Sequence, residues 1–109
     1  MNKNAACVFC KIIARELPAT IITENDHALV IADIAPKAPI HYLAIPKKHI
    51  DDVYALAPSD TVVPCELLDI IRTTMKGQDF RLLVNNGPTV GQTVFHLHYH
   101  ILAGQQFDF

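Results

Sequence analysis

Residues 95–102 read Phe-His-Leu-His-Tyr-His-Ile-Leu, with His96, His98 and His100 on alternate positions. A strand repeats every two residues, so this spacing places all three imidazoles on one face, about 6–7 Å apart. Leu97, Tyr99 and Ile101 then point the other way, toward a core. Histidine serves as nucleophile, proton carrier or metal ligand near neutral pH. One strand face therefore carries the groups most able to do chemistry.

The rest of the chain supplies partners for that strand. Residues 7–15 read as a short helix that stops before Pro18. Residues 19–24 and 28–34 are rich in β-branched side chains and read as strands about an Asn25-Asp26-His27 turn. Two prolines make residues 35–39 a loop, and residues 41–46 alternate as a third strand. A longer helix is expected over residues 62–76. Ser59 or Asp60 offers its cap, Pro64 fits only its first turn, and Gly77 marks its end. Leu67, Leu68, Ile70, Ile71 and Met75 supply its apolar face. Residues 80–85 and 96–103 complete the sheet, separated by the glycine-punctuated loop 86–93. This order predicts an α+β fold: a five-stranded antiparallel sheet with a short N-terminal helix and one longer helix, packed on one side.

The 109 residues suffice for a single domain, 1–109, with its own core. Formal net charge is −2, and no basic cluster exceeds Lys47-Lys48. Nothing in that balance draws the chain to nucleic acid or to an acidic membrane. No apolar run approaches the ~18 residues of a membrane span. The opening MNKNAACVFCK lacks the apolar stretch of a secretory or lipoprotein signal. Three cysteines, an odd number, fit a cytoplasmic, reducing setting better than a disulfide scaffold. Cys65 falls in the longer helix and is expected in the core. Cys7 and Cys10, at i and i+3, face the same way. By themselves they read as small buried side chains, a redox pair, or half of a zinc site that needs further ligands.

The histidine row admits two chemical readings. Histidines at i and i+2 can grip one zinc ion and leave a catalytic position open. Alternatively a neutral ring nitrogen attacks an electrophile and is later displaced by water. The preceding Gly91-Gln92-Thr93 favours the second, because it could offer backbone N–H groups and a hydroxyl to a phosphate.

The pattern His-apolar-His-aromatic-His-Ile-Leu resembles the signature of the histidine triad (HIT) superfamily. The likeness extends through Phe9-Cys10-Lys11-Ile12-Ile13, residues 33–39, His41-Tyr42-Leu43 and residues 45–50. The run 91–95, Gly-Gln-Thr-Val-Phe, is similar to the Hint branch, the histidine triad nucleotide-binding proteins. That resemblance implies a phosphoramidase that cleaves the P–N bond of adenosine 5′-phosphoramidates, releasing nucleotide and amine. It implies that His98 is the nucleophile, that His100 hydrogen-bonds the α-phosphate oxygens, and that His41 orients the triad. Thr93 would lie near the leaving group, with Asn85 and Gly91 lining the phosphate site. Asp33 would accept the ribose hydroxyls, and Val8, Phe9, Ile12, Ile31 and Ile34 would wall the base.

The same resemblance implies a structural zinc held by Cys7, Cys10, His49 and His96, a closed tetrahedral set, with no catalytic metal required. It also implies a homodimer whose sheets join, which would cover an open edge. Phosphoryl transfer fits this cast, since it depends on positioning and charge neutralisation. The helix end near residues 75–80 is about one turn shorter than in familiar Hint proteins. Only residues 103–109 follow Leu102, where the resembled proteins place residues that influence the leaving group. A dinucleoside polyphosphate hydrolase would use the same nucleophile on a P–O bond. A nucleotide-binding or interaction module would bind without turnover.

Overall fold

Strand Ala28–Ala32 (β2) is apolar from end to end, without the polar alternation of a half-solvated strand. Such a strand needs cover on both faces. The computed structural model, which describes residues 6–109, provides it. Ala28 and Val30 join Ala44, Leu97 and Ile101 beneath Val63, Leu67, Ile70 and Ile71 of helix α2 (Val62–Thr74). Leu29 and Ile31 join Leu43 and Ile45 beneath Phe9 and Ile12 of helix α1 (Val8–Ile13). The two helices thus lie on opposite faces, which corrects the expectation of a one-sided arrangement. The long helix seals its face. The six residues of α1 cover only part of theirs, and the remainder is where the histidines gather.

The sheet has five strands in the order β1-β2-β3-β5-β4, every neighbouring pair antiparallel. The remaining strands are β1 (Ile21–Glu24), β3 (Ile40–Pro46), β4 (Arg81–Leu83) and β5 (Tyr99–Ala103). The α+β class, the strand count and the short and long helices are those expected. Among the described residues no helix is long and apolar enough to cross a membrane.

Several local expectations change. Strand β5 begins at Tyr99, not at His96, because the Leu97 N–H bonds the Ile50 carbonyl at 2.6 Å and not a neighbouring strand. The alternation nevertheless persists through residues 96–98. Leu97 enters the α2 core, while His96 and His98 are buried on the α1 side. Helix α2 receives no side-chain cap from Ser59 or Asp60. The Asp60 carboxylate instead accepts the Ala57 N–H at 2.9 Å and pairs with Lys48. Cys65 is exposed, about 200° around the helix from buried Val63, and Leu68 also faces outward. Gly104 closes β5 with φ +94°, and a Cβ there would lie 2.8 Å from the Pro39 side chain.

Leu67 is wholly buried between α2 and the sheet. Leu67→Ala is expected to destabilise the fold by about 2–5 kcal/mol, through lost burial and a residual cavity. Urea unfolding of the two proteins measures it, and an unchanged midpoint would contradict this packing.

Candidate active site and metal centre

The tautomer of each triad histidine follows from its neighbours, since a carbonyl oxygen only accepts and an amide N–H only donates. His98 Nδ1 lies 2.8 Å from the His96 carbonyl oxygen, so Nδ1 carries the proton and Nε2 keeps its lone pair. His41 Nδ1 accepts the Lys37 N–H at 3.0 Å, which puts the His41 proton on Nε2. That N–H reaches His100 Nδ1 at 2.9 Å, leaving His100 with its own proton on Nε2. Two adjacent rings, with centroids 5.1 Å apart, therefore present opposite faces of histidine chemistry. His98 offers a lone pair and His100 offers a donor.

Burial keeps these rings neutral. It pushes His100 down to about 4 from its ordinary 6.5, helped by the neighbouring His98 and His41. Burial likewise lowers His98 and His41, against the opposing pull of the Asp33 carboxylate. Asp33 Oδ2 stands 3.3 Å from His41 Nε2, while its Oδ1 accepts the Ala35 N–H at 2.8 Å.

His98 and His100 line a cavity of about 400 Å³ beneath α1, a size suited to a small organic ligand. Its other walls include Val8, Phe9, Ile12, Ile31, Asp33, Ile34 and Thr93, all expected from the sequence. Ile34 is almost fully exposed, so it can only rim the mouth. His41 lies behind the cavity, buried and bonded to His100. Asn85 and Gly91 lie beside each other but outside the cavity walls; a Cβ on Gly91 would sit 3.8 Å from Asn85 Nδ2.

The N–H groups of Gly91 and Gln92 bond the Pro88 and Gly87 carbonyls at 3.2 and 3.1 Å. They are engaged within the loop, contrary to the expectation that they face a phosphate. Buried Gln92 is structural. Its side chain accepts the Gly87 N–H at 2.8 Å and donates to the Asp51 and Val94 carbonyls at 2.9 and 3.2 Å.

Beyond this cavity, Cys7, Cys10, His49 and His96 place their ligand atoms within 4.8 Å of one another, a cluster that could hold a metal ion. Its proton placement suits a cation. His96 Nε2–H donates to the Pro46 carbonyl at 2.8 Å, and His49 Nε2–H to Asp51 Oδ1 at 2.6 Å. Both Nδ1 lone pairs are thereby turned toward sulfur, His96 to Cys7 at 3.4 Å and His49 to Cys10 at 3.3 Å. Ligating histidines commonly commit their second nitrogen in this way. Burial and the adjacent Cys7 push the Cys10 thiol up to about 11, a penalty on ionisation that a divalent cation reverses. Asp33, His41 and His100 also lie close enough for an ion. There, however, the Lys37 N–H occupies the His41 lone pair and His41 occupies that of His100.

Sequence reasoning missed the main-chain groups, the Pro46 and His96 carbonyls and the Lys37 N–H, which carry no signature. It also missed Asp51, although the spacing His49-x-Asp51 could have signalled it. Leu17, Pro18, Ala19, Leu43 and Val94 are further cavity walls.

Known proteins are similar to this chain over nearly its whole length. A family model described as the scavenger mRNA decapping enzyme C-terminal binding region matches residues 6–108. An uncharacterized HIT-like protein of Synechocystis is 46% identical over 105 residues, spanning 93% of this chain and 92% of that protein. A histidine triad protein from Clostridium difficile has a TM-score of 0.92 at 38% identity, covering 100% of this chain and 98% of that one. A HIT family hydrolase from Clostridium thermocellum gives 0.90 at 43% identity, covering 94% and 93%. With its alternating histidines, their shared cavity and these relatives, the chain belongs to the histidine triad superfamily.

Proposed function

We propose that the chain is a nucleotide-binding hydrolase of the Hint type. It cleaves the P–N bond of a purine nucleoside 5′-phosphoramidate through a covalent nucleotidyl-His98 intermediate. The observation that carries this reading is the pair of opposite tautomers: a lone pair on His98 Nε2 beside a proton on His100 Nε2, both in one cavity. Names of similar structures as HIT family hydrolases support hydrolysis in general.

In the first step His98 Nε2 attacks phosphorus. A P–N bond to His98 forms, the P–N bond to the substrate amine breaks, and the amine leaves with a proton taken from solvent. The His98 Nδ1–H bond to the His96 carbonyl persists and disperses the positive charge gained by the ring. His100 Nε2–H donates to a non-bridging oxygen, where negative charge accumulates. Water then attacks phosphorus, the bond to His98 breaks, the proton lost by the water passes to solvent, and nucleotide and free enzyme return.

Thr93 borders the leaving group, and Asn85 and Gly91 shape the phosphate loop from its outer side. Asp33 takes the ribose hydroxyls, and Val8, Phe9, Ile12, Ile31 and Ile34 flank the base. Zinc at Cys7, Cys10, His49 and His96 fixes the N-terminal helix; a bound ion there supplies cross-linking, not chemistry. The working unit is a single domain, 1–109, in a cytoplasmic homodimer. The edge strand β4 and the neighbouring groove, with Leu68, Phe80 and Leu82, support that assembly.

Quenching the protein with an adenosine 5′-phosphoramidate and digesting it is expected to give an AMP adduct on the His98 peptide by mass spectrometry. His98→Ala should remove the adduct and lower kcat/KM by roughly a thousandfold or more. Turnover with no adduct under fast quenching would refute covalent catalysis. AMP binding with an unchanged rate in His98→Ala would favour a binding module. Faster cleavage of a dinucleoside polyphosphate would redirect the reading to P–O hydrolysis.

The pH profile is a separate check. Burial disfavours each imidazolium, so protonation that quenches the His98 lone pair occurs below the ordinary 6.5. The acid limb of kcat/KM, which reports the free enzyme, is therefore expected below pH 6.5. An acid limb centred at 6.5 or higher would contradict the buried neutral rings.

Metal analysis of freshly purified protein is expected to find about one zinc per chain, the stoichiometry of one four-ligand site. Cys7→Ala should lose most of it. Native protein prepared without chelator and containing no zinc would end the zinc assignment.

A further inference from the structure

We infer that the Cys7, Cys10, His49 and His96 cluster sets the ring orientation of His98, with Phe9 as the positioning residue that carries the constraint. The effect on turnover rests on the reading of His98 as nucleophile; the effect on the ring does not.

Two separate paths join the cluster to His98. One is the main chain of His96. Its ring is fixed at both nitrogens, by Cys7 and Cys10 sulfurs 3.4 and 3.6 Å from Nδ1 and by the Pro46 carbonyl 2.8 Å from Nε2. The carbonyl of this immobilised residue is the acceptor for His98 Nδ1–H. The other path is Phe9. It lies between Cys7 and Cys10 on α1 and stands edge-on to both rings. Its centroid is 5.8 Å from His96 at 78° and 5.0 Å from His98 at 80°. Phe9 is buried, so its ring has little freedom except by movement of the helix.

That helix is six residues long, too short to hold itself in place. Its N-cap is Cys7, whose sulfur accepts the Cys10 N–H at 3.3 Å. Holding the two sulfurs therefore holds the first turn of α1, and with it Phe9. Aromatic edges and hydrogen bonds of this kind select one ring setting among several. When the cluster is released, α1 and the His96 carbonyl loosen together. His98 can then turn about its side-chain bonds and populate the other tautomer, moving its lone pair from Nε2 to Nδ1.

His100 provides an internal control. Its tautomer is set by His41 and the Lys37 N–H, groups on β3 and the preceding loop. Among the described residues, neither makes a hydrogen bond or ring contact with the cluster. The inference thus makes an unequal prediction for two histidines two residues apart.

Long-range 1H–15N spectra of the imidazoles test it at neutral pH, on the 109-residue chain loaded with zinc and again after chelation under reducing conditions. In loaded protein His98 is expected as a single Nδ1–H tautomer and His100 as Nε2–H. After chelation His98 should become a mixture while His100 keeps its form, and added zinc should restore the first spectrum. Phe9→Leu should produce the His98 mixture with zinc still bound. Val63→Ala, which weakens the opposite core, should leave His98 unchanged and so separates positioning from stability.

In chelated protein kcat is expected to fall about tenfold or more, as for a displaced reacting group. A single His98 tautomer in both chelated protein and Phe9→Leu would overturn the inference. Equal changes at His98 and His100 would do so as well, because they mean general loosening. A protein inactive on phosphoramidates but showing the His98 response would refute the proposed activity and retain this link.

Discussion

Strand β3 pairs with β5 so that Leu43 stands opposite His100 and His41 opposite Leu102. Residues opposite each other share a face, so this register places His41 and His100 diagonally on the α1 side, within hydrogen-bonding reach. A slip of one residue would send the rings into the α2 core and Tyr99 and Ile101 toward the cavity. The hydrophobic demand of α2 and the alignment of the histidines are thus satisfied by the same register. Packing energy, which is large, holds in place a polar arrangement that contributes little stability of its own.

The triad has an order that its even spacing conceals. Each ring has one nitrogen committed to a group that cannot change role: the Pro46 carbonyl for His96, the His96 carbonyl for His98, and His41 backed by the Lys37 amide for His100. The other nitrogens then differ in identity, Nδ1 turned to the cysteine sulfurs for His96 and Nε2 for the other two. Burial acts in the same direction by keeping the rings neutral. In the proposed reaction, preorganisation of this sort costs nothing at the moment of attack, because the protons are already placed.

Much of this was legible in the chain. Richness in β-branched residues gave β2, alternation gave β3 and the side-chain directions of residues 96–101, and the apolar face of α2 was correct at Leu67, Ile70, Ile71 and the C-cap Met75. Periodicity speaks of faces, however, and not of the ladder. The diversion of the Leu97 N–H to Ile50, which delays β5 to Tyr99, leaves no trace in residue types. Placing both helices on one side failed because local patterns do not say which face each helix covers; the fully apolar β2 held the clue. Cavity-lining residues such as Thr93 and Asp33 came from motif resemblance. Gln92 was read as part of a phosphate loop and proved to be a brace, since an amide side chain has the same appearance in sequence whether it meets ligand or backbone.

Gly104 extends the argument about register. It ends β5 against Pro39, the residue just before β3, with no room for a side chain between them. Any larger residue must separate the β3 and β5 termini or rotate one of them. The ring of His41 lies two residues beyond Pro39, and His100 lies four residues before Gly104. A single methyl group at this corner would therefore reach the hydrogen bond between the two rings. The missing side chain acts as a gauge block: it sets the separation of two strands whose spacing decides whether the two rings can hydrogen-bond.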